Sequence, residues 1–257
     1  MNTKYIDLIE QTYDFPQEEF QLKNKELQFH DINLMELIKQ YGAPLKFTYL
    51  PKISENIQRA KTWFNKAIEK HDYKGNYHYC YCTKSSHFKH VLDEALKNDI
   101  HIETSSAFDI DIVNQLKASG KINKDTYVIC NGFKRDQYIK NITALINAGH
   151  NNCIPIIDNY EELDLLTKET QKKFKIGIRI ASEEEPKFEF YTSRLGIGYK
   201  NIVPFYEDQI KNNDQVELKM LHFFINTGIR DNAYYWNELQ KCLRVYTRLK
   251  KSMPKFR

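Results

Sequence analysis

Lys84 stands at the end of Tyr77–Thr83, a run whose aromatic and cysteine content predicts a strand. A lysine placed there is expected to be partly desolvated. Desolvation lowers an amine's pKa and makes it a better nucleophile, which suits a Schiff base with a carbonyl group. Many strands also end in an ordinary surface lysine, and the pattern alone leaves both readings open. Other polar residues stand at predicted strand ends: Glu103, Ser105, Asn131, Asp158, Arg179 and His222. Arg179 closes an apolar run, Ile176–Ile180, and a buried arginine needs an anion or carbonyl partners. Cys80 and Cys82 are one residue apart, which is not the spacing of a zinc knuckle, and no second pair follows. They share one face of the strand and read as core, so no metal site is expected.

The elements that must position these residues alternate. Predicted strands are Leu45–Leu50, Tyr77–Thr83, Ile100–Glu103, Tyr127–Cys130, Cys153–Ile157, Phe174–Ile180 and Val216–Ile225. Predicted helices are Glu55–Lys70, Val91–Leu96, Phe108–Leu116, Gln137–Ala148, Tyr160–Thr170, Ile202–Lys211 and Ala233–Lys251. Residues 1–44 read as an arm with a helix at Leu34–Gln40, and 45–257 as one domain. Strands alternating with long helices imply parallel βα units, in a doubly wound sheet or a (β/α)8 barrel. No G-x-G-x-x-G follows an early strand, and a barrel brings strand ends to one rim, where barrel sites lie. The expected fold is therefore a TIM-like α/β barrel. About six barrel strands follow the first crossover helix, so the barrel is expected to be incomplete in this chain.

Composition bounds the rest. The chain has 257 residues, 41% of them apolar, which supports a packed core. Its net charge of +4 is a mild excess. No basic stripe accompanies the aromatics, which lie inside strands, so no nucleic-acid partner is expected. No apolar run approaches a membrane span, and the N-terminus lacks the apolar segment of a secretory signal. Five cysteines, an odd and sparse set, argue against a disulfide scaffold and for a reducing cytoplasm.

Several segments carry a resemblance. Tyr81-Cys82-Thr83-Lys84-Ser85-Ser86 is similar to the Y-A-x-K-A/S-N/S segment of barrel-type pyridoxal-phosphate decarboxylases, which act on ornithine, arginine or diaminopimelate. Glu103-Thr104-Ser105-Ser106-Ala107-Phe108-Asp109 resembles the family's D/E-x-x-S-x-x-E/D segment. Ser193-Arg194-Leu195-Gly196 resembles S-K/R-F/L-G, and Gly42-Ala43-Pro44-Leu45 resembles G-T-P-L. Leu221–Ile229 aligns with L-H-F-H-L-G-S-Q-I. Ile129-Cys130-Asn131-Gly132-Phe133-Lys134 resembles a segment of the biosynthetic arginine decarboxylases in particular.

The resemblance implies pyridoxal 5'-phosphate as cofactor and a small amino-acid substrate. It places the cofactor lysine at Lys84. It puts Glu103 and Asp109 near that lysine and the cofactor ring, although Asp109 has the alternative of capping the helix that follows. It puts Arg179 beside the cofactor. His222 is either part of the catalytic rim or a satisfied core histidine. Phe224 stands where most relatives stack a histidine on the pyridine ring; it keeps a flat contact and loses the polar nitrogen. Asn226-Thr227 replaces G-S, and the Thr227 hydroxyl can still reach a phosphate oxygen.

The family's later segments, a G-G-G phosphate loop, an acid for the pyridine nitrogen and a C-terminal β domain, are not in these 257 residues. The expectation is a fragment, truncated product or split piece, poorly active or inactive alone, from a protein that is a homodimer when full-length. Arginine decarboxylation to agmatine, in polyamine synthesis, is the leading expectation. Another basic amino acid, a carboxylated polyamine or a non-catalytic regulatory role is the alternative. An open reading frame continuing past Arg257 into G-G-G and E-x-G-R identifies a fragment of an ordinary enzyme; an immediate stop supports the truncated or regulatory form.

Overall fold

A computed structural model describes residues 19–181, 195–224 and 232–253. Contacts divide the chain into two units, Met1–Tyr49 and Leu50–Arg257. In the first, Asn24-Lys25 and His30-Asp31 take positive φ angles. Two consecutive left-handed residues make a hairpin turn whose twist matches the flanking strands. Strands β1 (Phe20–Lys23), β2 (Glu26–Phe29) and β3 (Ile32–Asn33) thereby form an antiparallel sheet. Helix α1 (Leu34–Tyr41) follows, with the Asn33 side chain accepting from the Met35 and Glu36 amides. The expected arm is thus partly a small sheet. The expected strand Leu45–Leu50 is not formed: 45–49 is irregular, and its Phe47 and Tyr49 rings pack edge-on against Phe29.

The second unit starts with α2 (Pro51–Lys70), which carries proline in its first turn, where the missing N–H costs nothing. The βα rhythm then runs β4 (Cys80–Cys82), α3 (Lys89–Leu96), β5 (His101–Thr104), α4 (Ala107–Ala118), β6 (Val128–Cys130), α5 (Asp136–Asn147), β7 (Cys153–Ile157), α6 (Tyr160–Glu169) and β8 (Phe174–Ile180). A short helix, α7 (Ile202–Phe205), continues into a π-helical turn, Tyr206–Ile210; β9 (Val216–Phe223) and α8 (Asn232–Ser252) follow. The six strands β4 to β9 are parallel and lie in sequence order. A doubly wound sheet reverses its order at a switch point. This one does not, so the array is the barrel type, not closed on itself.

Alternation along the strands sorts side chains into two layers. Ile102, Val128, Ile176 and Ile178 face outward and pack with Leu92, Val113, Ile142 and Leu163 of the helices. Ile129, Ile154 and Ile156 face inward, with Cys80 and Met220 against them. Cys80 and Met220 lie on the two outermost strands, and both pack against this inner cluster. Glycine permits this packing at one point: a Cβ on Gly177 would stand 2.5 Å from Ile156 Cδ1 and 3.2 Å from Met220 Cβ.

The inner phase of β9 depends on a bulge. Ile176 pairs with Leu218, but Gly177 pairs with Met220, leaving Lys219 as an extra residue. The bulge returns Met220 and His222 to the inner face, where unbroken alternation would send them outward.

At Gly132, φ is +86° and a Cβ would lie 2.8 Å from the Ser105 carbonyl oxygen; at Gly149, φ is +91° but nothing lies within 4 Å. Gly149→Ala is therefore expected to cost about 1 kcal/mol, and Gly132→Ala about 1–2 kcal/mol more. Urea unfolding of the two variants checks this; equal losses contradict the close approach.

Candidate active site

Strand register places the sequence-predicted residues on one rim. Cys82 pairs with Glu103, Thr104 with Cys130, and Arg179 with His222. Lys84, Glu103, Asn131, Asp158, Arg179 and His222 therefore all stand at the carboxyl ends of their strands. Curling brings them together across the array. The Asn131 side-chain amide donates to Glu103 Oε1 at 2.9 Å and stands 3.5 Å from His222 Nε2. Two strands separate β6 from β9 in the sheet, so this link spans the concave face.

An amide N–H aimed at Nε2 favours the imidazole tautomer with its proton on Nδ1. Burial, and then the positive charges of Arg179 and Lys134, push the His222 pKa down to about 4. The ring is therefore neutral near pH 7.

Arg179 is buried, with its Nε 3.9 Å from Asp158 Oδ1 and its guanidinium carbon 5.6 Å from the Phe224 ring centroid. The second distance is that of a cation–π contact. Phe224 itself is exposed. Burial pushes the Asp158 carboxyl up; Lys134 pulls it back, Glu162 pushes it further up, and Arg179 pulls it down.

Lys84 is exposed, on an outermost strand of the open array. Its strand would suggest a partly covered side chain; among the described residues no further strand pairs with that edge. The Asp109 carboxylate is buried and accepts from the Ser105 and Ser106 amides at 2.8 and 3.0 Å and from Ser105 Oγ at 3.1 Å. Together with Ser106 it forms the capping box of α4. The capping alternative thus describes its contacts. Thr227 and Arg194 lie outside the described residues.

Sequence reading gave no role to Lys134 and Glu162. Lys134 is buried; its ammonium donates to Gly132 O at 3.0 Å, Glu162 Oε2 at 3.0 Å and Ile156 O, and stands 3.9 Å from Asp158 Oδ2. Glu162 also accepts from the Lys134 and Asp158 amides. The Asn159-to-Glu162 spacing is a helix-start signal, and Asn159 does cap α6. Nothing around Lys134, which is followed by Arg135 and Asp136, signals its burial.

Residues 52–254 match the family described as pyridoxal-dependent decarboxylase, pyridoxal binding domain. The chain belongs to this family. Biosynthetic arginine decarboxylase 2 of Synechocystis sp. is 24% identical over 249 residues, covering 88% of this chain and 38% of that protein. The biosynthetic arginine decarboxylase of Vibrio cholerae is also 24% identical, over 240 residues, covering 86% and 37%. The crystal structure of diaminopimelate decarboxylase from M. jannaschii with L-lysine superposes with a TM-score of 0.75 at 16% identity, covering 91% of this chain and 54% of that one. The chain thus spans under two-fifths of these curated relatives and about half of the solved one.

The rim of this pyridoxal-binding domain suits its cofactor. Both Asp158 oxygens, Arg179 Nε and His222 Nδ1 are buried without a hydrogen-bond partner. Buried polar atoms in that state are costly unless a ligand or water meets them. Phe224 adds a flat apolar face beside Arg179, and the exposed Lys84 brings a primary amine to the same rim. The unmet Arg179 and His222 nitrogens suit the anionic oxygens of a phosphorylated aromatic aldehyde, and the Asp158 oxygens suit a group that donates.

A histidine whose pKa is lowered stabilises the fold only while neutral. The unfolded chain, with an ordinary histidine pKa near 6.5, takes up the proton first as pH falls. The His222 contribution is therefore complete above about pH 6.5 and lost on the way down to about 4, with a slope of at most ~1.4 kcal/mol per pH unit. A 15N NMR titration of the imidazole is expected to show a midpoint near 4; a midpoint at or above 6.5 contradicts the buried, cation-flanked setting.

Proposed function

We propose that this chain supplies the cofactor-binding half-site of a cytoplasmic decarboxylase that converts L-arginine to agmatine and carbon dioxide, feeding polyamine synthesis. The observation that carries the reading is Lys84 on the same rim as Glu103, Arg179 and His222 in a pyridoxal-binding domain. Arginine is favoured because the curated relatives matched over 86–88% of the chain are named biosynthetic arginine decarboxylases, and because Ile129–Lys134 has their segment.

In the reaction the bond from Cα to the carboxylate breaks, its electron pair stays on the substrate, and a proton takes the place of carbon dioxide. Bound pyridoxal phosphate supplies an electron sink for that pair. The chain's own residues bind and orient. Lys84 presents a primary amine at the rim, the group that would hold the cofactor aldehyde. Glu103, fixed by Asn131, sets a carboxylate at the neighbouring strand end of the same rim. Arg179 supplies fixed positive charge for an anionic oxygen. Neutral His222 offers Nδ1–H as a donor without adding a second cation. Phe224 gives the ring a flat surface, and Asp109 keeps the Ser105-Ser106 turn in place. The homodimer belongs to the same proposal, with Arg194 near the partner.

Treatment with pyridoxal phosphate and borohydride, followed by peptide mapping, is expected to label Lys84. Lys84→Ala is expected to remove the label and lower carbon dioxide release from arginine by orders of magnitude in the protein containing this domain. Label on another lysine with Lys84 untouched contradicts the role. Release from diaminopimelate, ornithine or lysine but not arginine keeps the chemistry and overturns the substrate.

A further inference from the structure

Four ionisable side chains, three at successive strand ends and one in the first turn of α6, lie in a row of alternating charge: Glu162, Lys134, Asp158 and Arg179. Glu162 Oε2 meets Lys134 Nζ at 3.0 Å, Lys134 Nζ stands 3.9 Å from Asp158 Oδ2, and Asp158 Oδ1 stands 3.9 Å from Arg179 Nε. All four are buried. Buried charge is tolerated only when paired and hydrogen-bonded. The four members satisfy this unevenly. Lys134 spends its protons on two carbonyls and Glu162, and Glu162 accepts from two backbone amides besides. Asp158 accepts no hydrogen bond at either oxygen, and Arg179 Nε donates none. The inner end of the row is thus anchored to backbone, and the rim end is held by charge alone.

We propose that Lys134, Glu162 and Asp158 are positioning residues that fix the Arg179 guanidinium at the rim. Lys134 keeps Asp158 ionised despite its burial beside Glu162, and ionised Asp158 holds Arg179 by its Nε edge. The two terminal nitrogens of the guanidinium are then left for an anion. The assignment of that anion to the cofactor or the substrate carboxylate rests on the decarboxylase reading; the row itself does not.

Other charged or polar neighbours are His222, paired with Arg179 across the strands, and Asn131 and Glu103 beyond it. In Lys134→Met two buried carboxylates face one guanidinium, and one of them takes a proton near neutral pH. In the double variant Lys134→Met/Glu162→Gln one carboxylate faces one guanidinium again.

The test is the Arg179 Nε–H signal in 15N NMR of the protein containing this domain, read alongside pyridoxal phosphate affinity from fluorescence titration, each as a function of pH. The wild-type signal is expected to be steady from about pH 6 to 8. In Lys134→Met it is expected to broaden at about pH 6 and return as pH rises, with affinity falling at least about tenfold at the lower pH. The double variant is expected to recover both. A residue needed only for packing would not be rescued by removing a second charge. An Arg179 signal in Lys134→Met that matches the wild type at every pH overturns the proposal. If Lys134→Met does not fold, a folded double variant lacking the wild-type signal overturns it instead. A wild type that shows the expected Arg179 behaviour but binds no pyridoxal phosphate upholds the row and counts against the cofactor reading.

Discussion

The inward curl of the parallel sheet is the constraint on which the rim depends. Right-handed crossovers between strands in unreversed order put the helices on one face, leaving the other to curl on itself. Here Ile129, Ile154 and Ile156 fill the concave side with Cys80 and Met220, and the curl carries Asn131 to within reach of His222 across the two intervening strands. Two local departures from regular strand serve it. Gly177 leaves room for Ile156, and the extra residue at Lys219 turns His222 back toward Arg179. Relaxing either would leave each strand intact and disperse the rim.

The rim's electrostatics follow from burial. Arg179 is a fixed cation in a place with little water, so it pulls on everything near it. It helps to keep His222 neutral and partly restrains the upward drift of Asp158. Lys134 acts on the same two residues from below, but its own charge is spent on carbonyls and Glu162. The arrangement separates the positive charge offered to a ligand from the positive charge that stabilises the site. Lys84 is set apart again, exposed at the strand edge, where an amine is reached by a ligand without disturbing the buried row.

Much of this was legible in the sequence because the signals were strong and local. Phe174–Ile180 and Cys153–Ile157 are apolar runs of strand length, and their observed bounds agree with the expected ones. The polar residues after each run marked the rim. Other features left no such trace. β1 to β3 are short, and their turns use Asn-Lys and His-Asp where glycine would have announced a hairpin. Leu45–Leu50 has strand composition but pairs with no strand among the described residues. The bulge at Lys219 is a property of pairing, and the burial of Lys134 is a property of the fold above it. Desolvation of Lys84 failed as an argument because a strand's composition does not show which strand lies outermost.

The central claim is that the carboxyl ends of β4 to β9 form one cofactor-binding rim. A crystal structure of the protein after exposure to pyridoxal phosphate and borohydride tests it most directly. The account predicts density continuous with Lys84 Nζ, with the ring lying over the concave rim against Phe224 and an anionic oxygen meeting Arg179. Cofactor density at the opposite ends of the strands, or on the outer helical layer with the rim empty, would contradict it.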